Sequence, residues 1–368
     1  MKIVSVLNLL LTFNLLNLSL AHSFSGWDTN NDPENMRWFT RKNFKALPLK
    51  GSLKKRPWSG DYWPTYKGGL TYRWASETVL DSQRWSYSTP GAGVTINELS
   101  PIEKYDLYLG NTNFDLTRME RKRTGIISRR KIPEWEGLCH AWAPATYLYE
   151  NPHPVTVKDP RGNDITFYSS DIKALLTYHL HYSRAPKTNF LGSRCNLDFS
   201  DLKKKYNKGL ITKRELTFAM NRPECKDTNA GAFHVILTNF IGRLNRSFVI
   251  DITRDLEVWN QPVYAYESVI LGRRKSASPH AHPNTKEEVT IQTTVYYIEE
   301  VPQTYKRYLN PEALTAATYV YNLELDKRGR IIGGSWISDE RPDFIWTQNK
   351  PKFKGAFKKL KKLYKRAK

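Results

Sequence analysis

One cysteine, one histidine and one aspartate follow each other along the chain in an order that suits thiol chemistry. Cys139 lies in Trp135-Glu-Gly-Leu-Cys-His-Ala-Trp-Ala-Pro-Ala145, His234 in Gly231-Ala-Phe-His-Val-Ile-Leu237, and Asp251 in Ser247-Phe-Val-Ile-Asp-Ile-Thr253. A thiol beside an imidazole that a carboxylate holds in place can ionise at a pKa of about 4 instead of about 8.5, so it is a thiolate at neutral pH. The expected chemistry is acyl transfer through a thioester. His140 is adjacent to Cys139 in sequence, but neighbouring side chains diverge in either helix or strand, so the downstream imidazole is the better base. The Cys139 backbone amide is the natural first donor to an oxyanion, with Trp58-Ser-Gly-Asp-Tyr-Trp63 as the region for a second.

The cysteine count supports the assignment. The chain has three cysteines, and three cannot all pair within one molecule. Cys195 and Cys225 sit in polar surroundings at a loop-closing distance, which predicts a disulfide and leaves Cys139 free. Residues 1–21 read as a leader: Lys2, an apolar run to Leu20, then Ser19-Leu-Ala21 with small side chains where a signal peptidase cuts. The expectation is therefore a secreted protein. As a membrane span the run is poor, because Asn8, Asn14 and Asn17 would bring amides into hydrocarbon.

The rest of the chain must position these residues. With 40% hydrophobic and 13% aromatic residues its composition is that of a folded protein and excludes disorder. The domain plan is a catalytic region at 22–349, with a Trp-rich part at 22–100 and a core at 101–349, followed by a basic tail at 350–368. That tail carries ten of the Lys and Arg residues behind the net charge of +21, and no acid. Phe353, Phe357, Leu360 and Tyr364 recur in it at helical spacing, which describes an amphipathic helix offering its charge to an anionic surface or polysaccharide. No specific nucleic-acid contact is expected.

Ser170-Asp171 predicts the start of a helix through Ile172, Leu175, Leu176 and Tyr178, and a second helical stretch is expected over 202–221 with a break at Asn207-Lys-Gly209. From Gly231 onward the pattern reads as strands: 233–241, 247–253, 289–301, 318–325 and 331–337. Helices first and an antiparallel sheet later make an α+β fold. On this reading His234 and Asp251 face each other across a hairpin centred on Gly242-Arg243, and Asp255 takes the place if the turn shifts to Leu244-Asn245. Asp251 is preferred because Phe248, Ile250 and Ile252 form one buried face and Val249 and Asp251 the other. Pro144, five residues after Cys139, argues against an unbroken helix there.

The chain resembles the transglutaminase elicitor family of plant-pathogenic oomycetes and marine bacteria. The resemblance rests on Val258-Trp-Asn-Gln-Pro-Val263 with Tyr266-Glu267, on Trp58-Ser-Gly-Asp-Tyr-Trp-Pro-Thr-Tyr-Lys-Gly-Gly69, on Ser100-Pro-Ile-Glu-Lys-Tyr-Asp106, on Gly137-Leu-Cys-His-Ala-Trp-Ala-Pro-Ala145, on Ser170-Asp-Ile-Lys-Ala-Leu-Leu176 and on Gly231-Ala-Phe-His234. It implies a secreted protein-glutamine γ-glutamyltransferase with a papain-like core, usually calcium-dependent, acting on proteins that bear Gln and Lys. Cys139 would then attack a glutamine carboxamide, His234 would protonate the departing ammonia, and Asp251 would fix the imidazole tautomer. The resemblance is not extended beyond about Asn349.

Trp135, Trp142 and Trp259 are the expected walls of a partly dry site that favours amine over water, and Asn260 is a further expected orienter. Two other classes fit the same residues: a cysteine peptidase or deamidase that uses water as acceptor, and a non-catalytic basic adhesion protein. Metal ligands cannot be assigned from the sequence. Asp28-x-Asn30-x-Asp32 lacks the glycine and closing acid of a calcium loop, and His179-x-His181 and His280-x-His282 lack further ligands at a suitable spacing.

Overall fold

In the computed structural model, residues 25–37, 41–126, 131–183, 187–220, 225 and 227–368 are described. The expected leader lies outside them. The helices are α1 (Pro101–Leu109), α2 (Asp115–Thr124), α3 (Cys139–Leu148), α4 (Ser169–Tyr182), α5 (Ser200–Asn207), α6 (Lys213–Met220), α7 (Ala230–Leu237) and α8 (Lys358–Arg366). The strands are β1 (Lys50–Ser52), β2 (Val155–Lys158), β3 (Asp164–Phe167), β4 (Thr188–Gly192), β5 (Val249–Asp251), β6 (Asn260–Arg274), β7 (Glu287–Ile298), β8 (Leu314–Leu325), β9 (Ile331–Trp336) and β10 (Phe344–Gln348). A curled antiparallel sheet runs in the order β4-β10-β5-β6-β7-β8-β9, with β1 added beside β6 and β2–β3 forming a separate hairpin.

Alternation along the strands divides the molecule into two cores. Val249 of β5 and Phe344 and Trp346 of β10 pack with Ala141 and Trp142 of α3 and with Leu175 and Tyr178 of α4. Their neighbours Ile250 and Ile345 face the other way and pack with Phe233, Ile236 and Leu237 of α7. Successive residues of a strand point to opposite faces, so Asp251 shares the α3 side with Val249.

The α3 side is held by charges as well as by apolar burial. Ser100 and Glu103 form a capping box that starts α1. Glu103 also accepts two hydrogen bonds from Arg73, at 2.6 and 3.0 Å. Lys104 pairs with Asp171 at 2.7 Å, both fully buried, and Asp171 accepts further bonds from Trp74 Nε1 and from the Tyr168 amide.

Two expectations are corrected here. The segment 233–241 is not a strand: α7 covers 230–237, capped by Asn229, whose side chain accepts from the amides of Gly231 and Ala232. The residues of α7 are buried on every side, and a continuous apolar run carries no period that separates a helix from a strand. The basic segment is not a free appendage either. Leu360, Leu363, Tyr364 and Ala367 are buried in the core that contains α3 and α4, the Tyr364 hydroxyl accepts from the Glu150 amide at 2.6 Å, and the Ala367 carbonyl accepts from His153 N at 2.6 Å. Its apolar stripe finds its partner inside the same molecule. The Cys195–Cys225 disulfide is present and is packed on Phe199, and Cys139 is free and buried.

Candidate active site

Cys139 is the first residue of α3. The first-turn amides of a helix have no carbonyl partner within it, and their dipoles favour negative charge at that end. The helix continues through Pro144, contrary to the expectation of a break. The ladder bond that proline removes is the one to the carbonyl of His140, so the helix loses a single bond there. The entry to α3 is fixed from the Trp58–Trp63 segment: the Leu138 amide donates to the Tyr62 carbonyl at 2.7 Å. Gly137 is needed at this contact, because a Cβ there would lie 2.5 Å from the Tyr62 ring.

The sulfur is held by the Val258–Asn260 stretch at the start of β6. Cys139 Sγ donates to the Val258 carbonyl at 3.4 Å, and Asn260 Nδ2 lies 3.6 Å from Sγ. Trp346 Nε1 donates to Asn260 Oδ1 at 2.8 Å, which fixes the amide so that its nitrogen faces the thiol. Across β5–β6 the register pairs Asp251 with Asn260. The Asp251 carboxylate accepts from the Trp259 amide at 2.9 Å and from Thr253 Oγ1 at 3.0 Å, and its other oxygen is buried without a partner.

Electrostatics set the protonation state. Burial pushes the Cys139 thiol up to about 11; the Asn260 amide groups oppose this, and the charges of Glu300 and Asp251 add to it. The expectation from sequence is a lowered thiol pKa; the direction here is upward, and the charges that act on the sulfur among the described residues are the anions of Glu300 and Asp251. Burial likewise raises Asp251 and Glu300 to about 7 each and Asp61 to about 6. Gln261 Nε2 donates to one Glu300 oxygen at 2.9 Å, and the other oxygen is buried and unpartnered. Trp142 Nε1 is also buried without a partner, and Gly60 approaches it closely enough that a Cβ there would lie 3.3 Å away.

His234 is placed elsewhere. It sits in α7, on the opposite side of the sheet from α3, and its Nδ1 hydrogen-bonds with the Tyr321 hydroxyl at 2.8 Å. Burial alone lowers its pKa to about 3. The expected hairpin with Asp251 does not form, because β5 pairs with β6 and β10 instead. The structure thus brings together Cys139, Asn260 and Asp251 and leaves His234 apart. Asp255 is paired with Lys203. His140 hydrogen-bonds with His181 at 2.9 Å, and His179 is stacked on Phe353. Trp142 is a fully buried core residue, whereas Trp259 is half-buried with its ring 5.6 Å from that of Tyr62, and Trp135 is half-buried.

Sequence reasoning missed Glu300 and Trp346, and it named the Trp58–Trp63 segment without singling out Asp61. Neither Glu300 nor Trp346 follows a motif, and only the fold brings them to the Cys139 region. Among the described residues no group of three or more His, Cys, Asp or Glu side chains converges as a metal site would require. The Asp28 and Asp32 carboxylates cap short 3-10 turns, accepting from the amides of Asn30, Asn31 and Glu34.

A helix that opens on a buried cysteine and packs on an antiparallel sheet defines an α+β fold centred on a thiol. The model of the transglutaminase elicitor family matches residues 36–96 and 112–360, and the chain belongs to that family. The match runs into the basic segment, further than the motifs alone reached. In fold, the chain is similar to the crystal structure of the GP42 transglutaminase from Phytophthora sojae, with a TM-score of 0.67 and 24% identity over 93% of this chain and 98% of that one. No curated protein matches. No described helix is long and apolar enough to cross a membrane.

Proposed function

We propose that the chain is a secreted transglutaminase that joins glutamine and lysine side chains of proteins through a thioester on Cys139, on a core of papain-like layout. The observation that carries this reading is the sulfur at the first position of α3, between the Val258 carbonyl and the Asn260 amide. In the first half-reaction the Cys139 proton passes to one of the two carboxylates whose charge reaches the sulfur, Glu300 or Asp251. The sulfur attacks the carboxamide carbon, the C–N bond breaks, and ammonia leaves with the returned proton. In the second half a lysine amine attacks the thioester, gives its proton to the same carboxylate, and the thiol is restored. A carboxyl poised near pH 7 suits both transfers.

The Cys139 backbone amide, Asn260 Nδ2 and Trp142 Nε1 are the donors available to the tetrahedral oxyanion. Asn260 is a positioning residue for the thiol, itself held by Trp346, and Trp259 is a wall beside Tyr62. His234 has no step in this scheme, and none is routed through calcium. The test is incorporation of a fluorescent primary amine into a glutamine-bearing protein, with calcium or chelator, by the full chain and by Cys139→Ala. Amine uptake that requires Cys139 supports the reading. Ammonia release or peptide fragments without uptake would instead indicate a deamidase or peptidase, and no thiol-dependent change a non-catalytic binding protein.

A further inference from the structure

At the other end of α3 from Cys139, the chain forms a groove of about 780 Å³ lined by residues of 53–58, 146–151, 245–247, 307–309 and 347–348. Lys54, Lys55, Arg56, Arg246 and Arg307 face Glu150 as the one acid in the lining. Glu150 is already spanned by Lys55 at 3.7 Å. Lys350 lies at the rim, its Nζ 4.1 Å over the Tyr149 ring. Such an excess of cations around one concavity attracts anions and holds them in a way that salt weakens.

Four residues of the lining also carry a buried polar atom without a partner: Arg56 Nε, Tyr147 Oη, Tyr149 Oη and Asn151 Oδ1. A buried polar atom left unpaired costs free energy that a ligand or bridging water recovers. Their types specify the ligand. Asn151 uses its nitrogen on the Tyr308 carbonyl at 3.2 Å, so the oxygen left over can only accept and needs a donor. Arg56 uses Nη2 on the Asn310 carbonyl at 2.7 Å, so its Nε needs an acceptor. Burial drives the Tyr147 phenol well above its ordinary pKa, so it stays protonated and can donate.

A molecule that matches this groove must be anionic, must donate hydrogen bonds as well as accept them, and must extend over several cations. Inorganic phosphate meets the first demand, but its dianion carries a single O–H and is too small to reach Asn151, the tyrosines and several cations together. We propose that the groove binds an acidic oligosaccharide, whose carboxylates meet the cations and whose hydroxyls meet Asn151 and the tyrosines. The volume lies within the range of about 300–1,000 Å³ usual for ligand pockets. This site is separate from the Cys139 centre and independent of the reaction assigned to it.

The test is isothermal titration of the full chain with a uronic-acid tetrasaccharide, with its methyl ester and with inorganic phosphate. The acid form should bind, and the ester should bind at least about tenfold more weakly, since it loses the charge-assisted bonds. Tyr147→Phe removes a hydroxyl that has no partner in the free protein, so the fold is preserved, and affinity should fall about three- to tenfold. Arg56→Gln should weaken binding by about tenfold or more, and amine incorporation by Tyr147→Phe should be unchanged. Equal affinity for acid and ester would overturn the proposal. So would displacement of the saccharide by equimolar phosphate, or affinity unmoved in both variants.

Discussion

The two faces of the sheet each bury an ionisable side chain, and they treat it differently. On the α7 face, His234 joins a chain of hydroxyls: its Nδ1 to Tyr321, Tyr321 to Thr293, and Thr293 to Ser268, each at 2.8 Å, while its Nε2 is buried without a partner. With its pKa down at about 3, this imidazole is neutral across the physiological range. On the α3 face, Cys139 is surrounded by groups with capacity to spare, including unpartnered oxygens of Asp251 and Glu300 and the unpartnered Trp142 Nε1. One orphan nitrogen inside a packed apolar face is a local cost of burial, whereas several unsatisfied groups around one thiol mark a place where a substrate can complete the bonding. The contrast therefore assigns structure to one face and chemistry to the other.

The strongest way to break this assignment is Cys139→Ala. It should lower amine incorporation by about 10⁴-fold or more with the thermal transition unchanged within a few degrees. Next comes Lys104→Met, which leaves the Asp171 carboxylate buried without its cation and should destabilise the protein by about 3–5 kcal/mol in denaturant unfolding. The loss arises on the α3 face and exceeds what His234→Gln on the α7 face should produce.

Asp251→Asn and Glu300→Gln sharpen the comparison within the reactive face, where the residue that accepts the proton should cost about 10²-fold in kcat/KM when neutralised. The pH behaviour adds a sign. An acceptor carboxylate must be ionised, so activity should rise as pH climbs through about 7. Stability should move the opposite way. Both carboxyls have folded-state pKa values above their ordinary ones, so the folded protein binds these protons more tightly than the unfolded chain does, and this contribution, complete below about pH 4, is lost as pH rises to about 7. Asp251→Asn should flatten that decline, which chemical denaturation from pH 4 to 8 would read directly.

His234→Gln should have the smallest effect. The loss of one buried hydrogen bond costs about 1 kcal/mol, and activity per folded molecule should change by less than about twofold. A fall in activity comparable to that of Cys139→Ala would instead put the imidazole beside the thiol during turnover and would collapse the distinction between the faces.

Much of this was legible in the sequence where side chains act close to their own position. Ser170-Asp171 marked α4, Asn207-Lys-Gly209 marked the gap between α5 and α6, and the expected strands 318–325 and 331–337 match β8 and β9 closely. Cys139 was singled out by an odd cysteine count, and the Cys195–Cys225 bridge followed from the same count. The side of the sheet taken by Asp251 also followed from alternation. The base did not. Gly231-Ala-Phe-His-Val-Ile-Leu237 is apolar throughout, and only tertiary burial decides that it is a helix, which moves His234 across the sheet. Glu300 and Trp346 reach Cys139 and Asn260 through pairings between distant segments, and local pattern does not record those. The basic segment misled for a related reason: its stripe was visible, but what it packs against lies far off in the chain.

The most direct test of the account is to trap the acyl-enzyme. The full chain would be mixed with a glutamine peptide in the absence of amine, quenched in acid and digested for mass spectrometry. The account predicts the acyl adduct on the peptide that contains Cys139, lost on addition of a primary amine and still formed by His234→Gln. Amine incorporation that proceeds with Cys139 unmodified throughout, or that survives in Cys139→Ala, would contradict it.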